Sequence, residues 1–115
     1  MPYYSESASQ KLREKFEEIV KQWPQITRKM MFGSPSYTAG KTIFAMLVYG
    51  GIILSRLDEN RKAALLSEPS AGYFTVHGRV IKKWVLIRIQ DSADIERYLP
   101  FIEASYAAAL KEETG

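Results

Sequence analysis

The run Thr42-Ile43-Phe44-Ala45-Met46-Leu47-Val48-Tyr49, followed by Gly50-Gly51 and Ile52-Ile53-Leu54-Ser55-Arg56-Leu57, constrains the fold more than any other part of the chain. Its continuous apolar first half is too short for a typical helix and reads as a central strand buried on both faces. Gly50-Gly51 is a two-residue hairpin signal, because both positions accept positive φ, so residues 52–57 return antiparallel. The apolar stretch from Thr42 to Leu54 is shorter than the ~20 residues that a bilayer span needs, and the two glycines interrupt it. No membrane partner is expected.

A second strong strand is read over Trp84–Ile89, lying beside the Ile43–Tyr49 strand in one pleated layer. Tyr73–Val76 is a weaker strand joined to it through the turn residues His77-Gly78-Arg79. A short strand is expected over Lys29–Phe32, with Gly33-Ser34-Pro35-Ser36 as turn chemistry. The first helix is placed at about 7–22. Ser7 and Gln10 form a capping box there, and Leu12, Phe16, Ile19, Val20 and Trp23 recur at helical spacing. Pro24 closes it, since the residue before a proline leaves the helical region. Asp58 caps a second helix at about 59–67. Asp91 or Ser92 caps a final helical region through Leu110, in which Pro100 either opens the main helix or kinks a longer one. The order α-βββ-α-ββ-α gives an α+β fold: an antiparallel five-stranded sheet with helices packed on one side. At 115 residues the chain is one domain, 1–115.

Chemistry is sparse. The absence of cysteine removes disulfides, thiolate nucleophiles and sulfur-bound zinc. One histidine, His77, and no carboxylates at ligand spacing predict no metal and no cofactor. No G-x-S-x-G elbow promotes a serine, so no catalytic residue is assigned and the chain is read as non-enzymatic. Pro35-Ser36-Tyr37-Thr38-Ala39-Gly40-Lys41-Thr42 matches the phosphate-loop pattern G-x-x-x-x-G-K-[ST] except at its first position. The mechanism needs glycine N–H groups and a following helix, whereas here proline stands first and a strand follows. The expectation is a β-turn at Gly40 with Lys41 in solvent. Met30-Met31 and Met46 read as gap-filling core residues.

Charge is unevenly placed. Residues 28–90 carry ten basic and three acidic side chains, and residues 91–115 carry two and six. The cluster Arg79-Val80-Ile81-Lys82-Lys83-Trp84 sets cations beside an aromatic ring. Arg28, Lys29, Arg79, Lys82, Lys83 and Trp84 are therefore the candidate binding surface, with Arg56 and Arg88 able to extend it. Such a face attracts phosphate, and an exposed Trp84 can stack on a base or anchor a protein.

The stretch from Lys29 to about Leu110 resembles the TfoX/Sxy N-terminal domain family, and more distantly the YjbR/MmcQ-like proteins. The residues that carry it are Met31-Phe32-Gly33, Tyr37, Gly40-Lys41, Phe44-Ala45, Gly51, Asp58-Glu59-Asn60-Arg61, Gly78-Arg79, Lys82-Lys83-Trp84-Val85 and Ser105-Tyr106-Ala107. Ser34-Pro35 departs from it, since glycine is frequent there in the family. The resemblance implies an α+β fold, a bacterial cytoplasmic setting and no catalytic residue. Family members with a known role regulate natural competence at promoters together with the cyclic-AMP receptor protein, and carry a second helical domain. By that resemblance this chain is expected to be a stand-alone first domain. The reading is a regulatory or adaptor domain acting through protein contacts as a homodimer, with Tyr3, Tyr4, Trp23, Tyr37 and Trp84 as spare interface residues. Its alternatives are direct nucleic-acid binding through the basic surface, and a small ligand-binding domain or enzyme with a pocket between sheet and helices.

Overall fold

A six-stranded antiparallel sheet organises the molecule. The computed structural model describes residues 4–31 and 33–114, so Tyr3 and Phe32 lie outside the described residues. The elements are α1 (Glu6–Val20), β1 (Ile26–Met31), β2 (Ser34–Ala39), β3 (Thr42–Val48), β4 (Gly51–Leu54), α2 (Glu59–Leu66), β5 (Ala71–Val76) and β6 (Arg79–Arg88). A 3₁₀ segment (Ser92–Tyr98) and α3 (Leu99–Thr114) complete the chain. The strands lie in the order β1-β2-β3-β4-β6-β5. No helix among the described residues is long and apolar enough to cross a membrane.

The α+β class and the antiparallel pairing agree with the sequence reading, but the strand count does not. The segment expected to be turn at Ser34–Ser36 opens a sixth strand, β2, every residue of which is buried. It carries few bulky apolar residues, because Ser34, Ser36 and Thr38 supply one of its faces and Pro35, Tyr37 and Ala39 the other. Pro35 is tolerated because it pairs with Met30 on one side, while pairing to β3 begins only at Ser36. A proline at the start of a strand gives up no ladder donor there. The two strong runs share one layer but are not neighbours: β4 lies between β3 and β6. The β3–β4 loop is Tyr49-Gly50, with Gly50 at φ +76, and not Gly50-Gly51. Gly51 belongs to β4, where a Cβ would overlap the Ile87 carbonyl and sit 2.8 Å from Leu86 Cδ1. Close approach of backbone, not turn geometry, requires that glycine.

All three helices cover one face. The core holds Leu12, Phe16 and Val20 of α1, Tyr37 and Ala39 of β2, Leu47 of β3, Ile52 and Leu54 of β4, Val85 and Ile87 of β6. Leu65 of α2 with Ile95, Ile102 and Ala109 completes it. Burial of such side chains stabilises by roughly 1.5–3 kcal/mol each before conformational entropy is set against it. Three of the aromatic residues expected to be spare for an interface are part of this core. Tyr4 and Tyr37 are buried, and Trp23 packs against Phe44 and Tyr106 with ring centroids 6.4 and 4.9 Å away.

Two devices fix α3 to the sheet. Phe44 is an extra residue in β3, since one step from Tyr37 to Thr38 faces two steps from Ala45 to Ile43. Ser105 Oγ, fully buried, donates to the Phe44 carbonyl (2.7 Å) and accepts from the Arg56 backbone N–H (3.1 Å). The Tyr106 hydroxyl donates to the Pro24 carbonyl at 2.6 Å. Asp58 caps α2 as expected, accepting from the Arg61 N–H at 2.7 Å, and Asp91 caps the 3₁₀ segment through the Ala93 N–H at 2.9 Å. Pro100 opens α3, where its missing N–H costs no intrahelical bond. The Ser7/Gln10 capping box does not form: Ser5 precedes the helix and makes no side-chain cap. Arg13 instead ties Glu6 to Glu17 across the helix surface.

Candidate functional site

The second face of the sheet carries no helix. Side chains alternate across a strand, so where Leu47, Ile52 and Ile87 point to the helices, Met46, Val48, Ile53 and Leu86 point away. They form a second apolar cluster, Met46, Val48 and Ile53, with Phe74, Trp84 and Leu86 packed against it. This face is not flat. The β5–β6 hairpin extends past the sheet through the Val76-His77-Gly78-Arg79 turn, where His77 and Gly78 both have positive φ, the geometry of a tight hairpin. One step from Tyr73 to Phe74 faces four steps from Val85 to Ile81, so Lys82-Lys83-Trp84 is a bulge in β6. Bulges bend a strand and increase its twist. Here the bulge bears Trp84, whose ring lies 6.0 Å from that of Phe74.

The result is a groove of about 360 Å³ with walls from every strand: Met31, Ser34, Met46, Val48, Ile53, Phe74, Val76, Ile81 and Trp84, with His77 at the hairpin turn. A smaller lobe of about 180 Å³ continues it past Met31, Met46, Ile53 and Trp84 to Ile43, Ser55 and Arg56. The floor is recessed: Met46, Val48 and Ile53 are 7%, 5% and 1% exposed. Among the described residues no carboxylate lines either lobe. The space expected between sheet and helices is instead filled by core side chains, and the pocket lies on the opposite side of the sheet.

The candidate basic surface does not gather into one patch. Arg28, opposite Tyr37, faces the helices and pairs with Glu17 at 2.9 Å. The Tyr37 hydroxyl donates to the same Glu17 carboxylate at 2.7 Å, and burial first, then that bond, pushes the phenol far above its ordinary range. Lys29, opposite Ser36 and two residues from Met31, stands on the groove side at the β1 bank. Arg79, opposite Val76, stands on the groove side at the hairpin tip. Lys82 and Lys83 sit on the bulge, where the Lys82 carbonyl accepts from Lys62 Nζ at 3.1 Å. Arg56 ends the small lobe with its charge matched by Glu112 at 2.8 Å. Of the candidates, Trp84 lines the main lobe. Arg88 lies at the other end of β6, beside Asp94 and Arg97.

His77 is exposed and has no carboxylate beside it among the groove residues. Gly40-Lys41 is the β2–β3 turn, with Gly40 at φ +64 and its N–H donated to the Gln25 carbonyl at 2.9 Å. That donor is therefore turned inward, not toward an anion. No group of three or more metal-ligating side chains occurs among the described residues. The sequence reading missed the groove because its walls come from six strands. The signal available was the alternation of Met46 and Val48 with Leu47 inside an apolar run, which gives a central strand two apolar faces. Comparison of the chain with protein-family models, curated proteins and solved structures finds no match.

Proposed function

We propose that this chain is a binding domain of the regulatory or adaptor kind, which acts by contact and takes an apolar group of its partner molecule in the open groove of the sheet. The observation that carries this reading is the apolar cluster Met46, Val48, Ile53, Phe74, Trp84 and Leu86, which faces a cavity and not a helix. An apolar face left uncovered costs solvation free energy on the order of 25 cal/mol per Å², and a concave apolar site with few polar groups is the usual form of a ligand pocket. The resemblance to the TfoX/Sxy N-terminal domains supports the regulatory half of the reading.

Titration of the native chain with a neutral apolar probe, 1-decanol, tests it. Saturable shifts are expected in the Met46, Val48 and Ile53 methyl resonances, with Leu47 and Ile52, on the helix side of the same strands, unmoved. A spectrum unchanged up to the solubility limit, or equal movement of both sets, overturns the reading.

A further inference from the structure

The shape and charge of the groove narrow its occupant, on the reading just given. We infer that it takes a small amphipathic carboxylate as a free monomer, with a compact apolar body of about a dozen heavy atoms inserted over Ile53 and its anionic head attracted by the positive charges that Lys29 and Arg79 place on the groove side of the sheet.

Size comes first. A volume of about 360 Å³ equals about a dozen waters at ~30 Å³ each, which suits a chain or ring system of that many heavy atoms. The floor, at 1–7% exposure, is too recessed for a flat protein surface to touch. An extended peptide has no strand to join over the floor, because Met46 pairs with Ser36 and Ile53, and Ile53 with Met46 and Leu86. Main-chain hydrogen bonds carry strand-addition binding, and they are unavailable on this floor. What remains is burial of an inserted apolar body, to which Met31 and Met46 can adapt their unbranched side chains.

Charge comes second. The polar groups in the wall of the main lobe are the Ser34 hydroxyl and the His77 imidazole. The strand register adds Lys29 at one bank and Arg79 at the tip on the groove side, both exposed. Among the described residues no carboxylate pairs with either, whereas Arg56 in the small lobe is matched by Glu112. An occupant with a negative head therefore meets uncompensated positive charge at the main lobe, and one with a positive head meets none of the opposite sign. A planar guanidinium such as that of Arg79 suits a carboxylate in particular.

The experiment compares decanoate with 1-decanol on the full chain, by methyl shifts and calorimetry at 20 mM salt. The expected result is one site and an affinity for decanoate about tenfold above that for 1-decanol, a gap that closes at 0.5 M salt as screening removes rim attraction. The double variant Lys29→Gln/Arg79→Gln, changed only at exposed positions, is expected to bring decanoate down to the 1-decanol affinity and leave 1-decanol unchanged. Equal affinities for the two probes in the native chain overturn the carboxylate inference and leave the apolar-binding reading standing. Failure of both probes removes both. Tight binding of an acidic amphipathic peptide, with decanoate inert, replaces the small molecule with a protein partner.

Discussion

Ile52 and Ile53 are adjacent in β4, equally buried at 0% and 1%, and point to opposite faces of the sheet. Truncating each to alanine removes the same three carbons, a transfer loss of roughly 2.4 kcal/mol at ~0.8 kcal/mol per buried carbon. At Ile52 the carbons leave an enclosed void between sheet and helices, and the cavity contribution raises the loss to about 4 kcal/mol, within the ~2–5 kcal/mol seen for such changes. At Ile53 the vacated space joins a groove already open to solvent, so no sealed void is created and the loss stays near 2 kcal/mol. The difference of about 2 kcal/mol should appear in urea denaturation as two well-separated midpoints at similar slope. At ~4 °C per kcal/mol, it should also separate the melting temperatures by about 8 °C. Equal losses would refute the reasoning, because they would mean that the groove closes in solution and that Ile53 belongs to an ordinary core.

Ser105→Ala should cost about 2 kcal/mol in the same assay, since it orphans the buried Arg56 N–H while Phe44 keeps a second donor, the Ser55 N–H at 3.2 Å; a loss below ~0.5 kcal/mol would show that the bulge needs no such tie. Stability should also fall at alkaline pH. The folded state holds Tyr37 far above the ordinary tyrosine value of 10.0, and burial, then Glu6, pushes Tyr4 up to about 12. A raised folded pKa gives stability that is whole below the unfolded pKa and lost above it, here by about 1.4 kcal/mol for Tyr37 at pH 11, with a smaller share from Tyr4. Tyr37→Phe should flatten most of that alkaline decline, and an unchanged slope would exclude Tyr37 as its source.

The parts of the fold legible in the sequence were those where one apolar period dominates. Phe16 and Val20 announced α1, Ala45–Val48 announced a central strand, and Asp58 announced the cap of α2. Strand β2 was not legible, because Ser34, Ser36 and Thr38 fill one of its buried faces with small hydroxyl side chains, so its composition mimics a loop. Tyr37 read as a spare aromatic for the same reason: its partners, Phe16 and Glu17, are twenty residues away in sequence. Of the candidate surface, Trp84 follows two lysines in sequence but packs on Phe74, since the bulge that turns it there leaves no mark in composition. Arg28 and Lys29, adjacent in sequence, go to opposite faces, which a charge count treats as one patch. The groove as a whole has no local signature. It exists only once the register sets Met31, Met46, Ile53 and Trp84 around one space.

The most direct test of the open groove is a set of intermolecular NOEs from decanoate to the protein. The account predicts contacts from the alkyl chain to Met46, Ile53 and Trp84 protons, with none to Phe16 or Leu47. Bound decanoate that instead touches the helix-side core, or only the outer surfaces of α1 and α3, would contradict it.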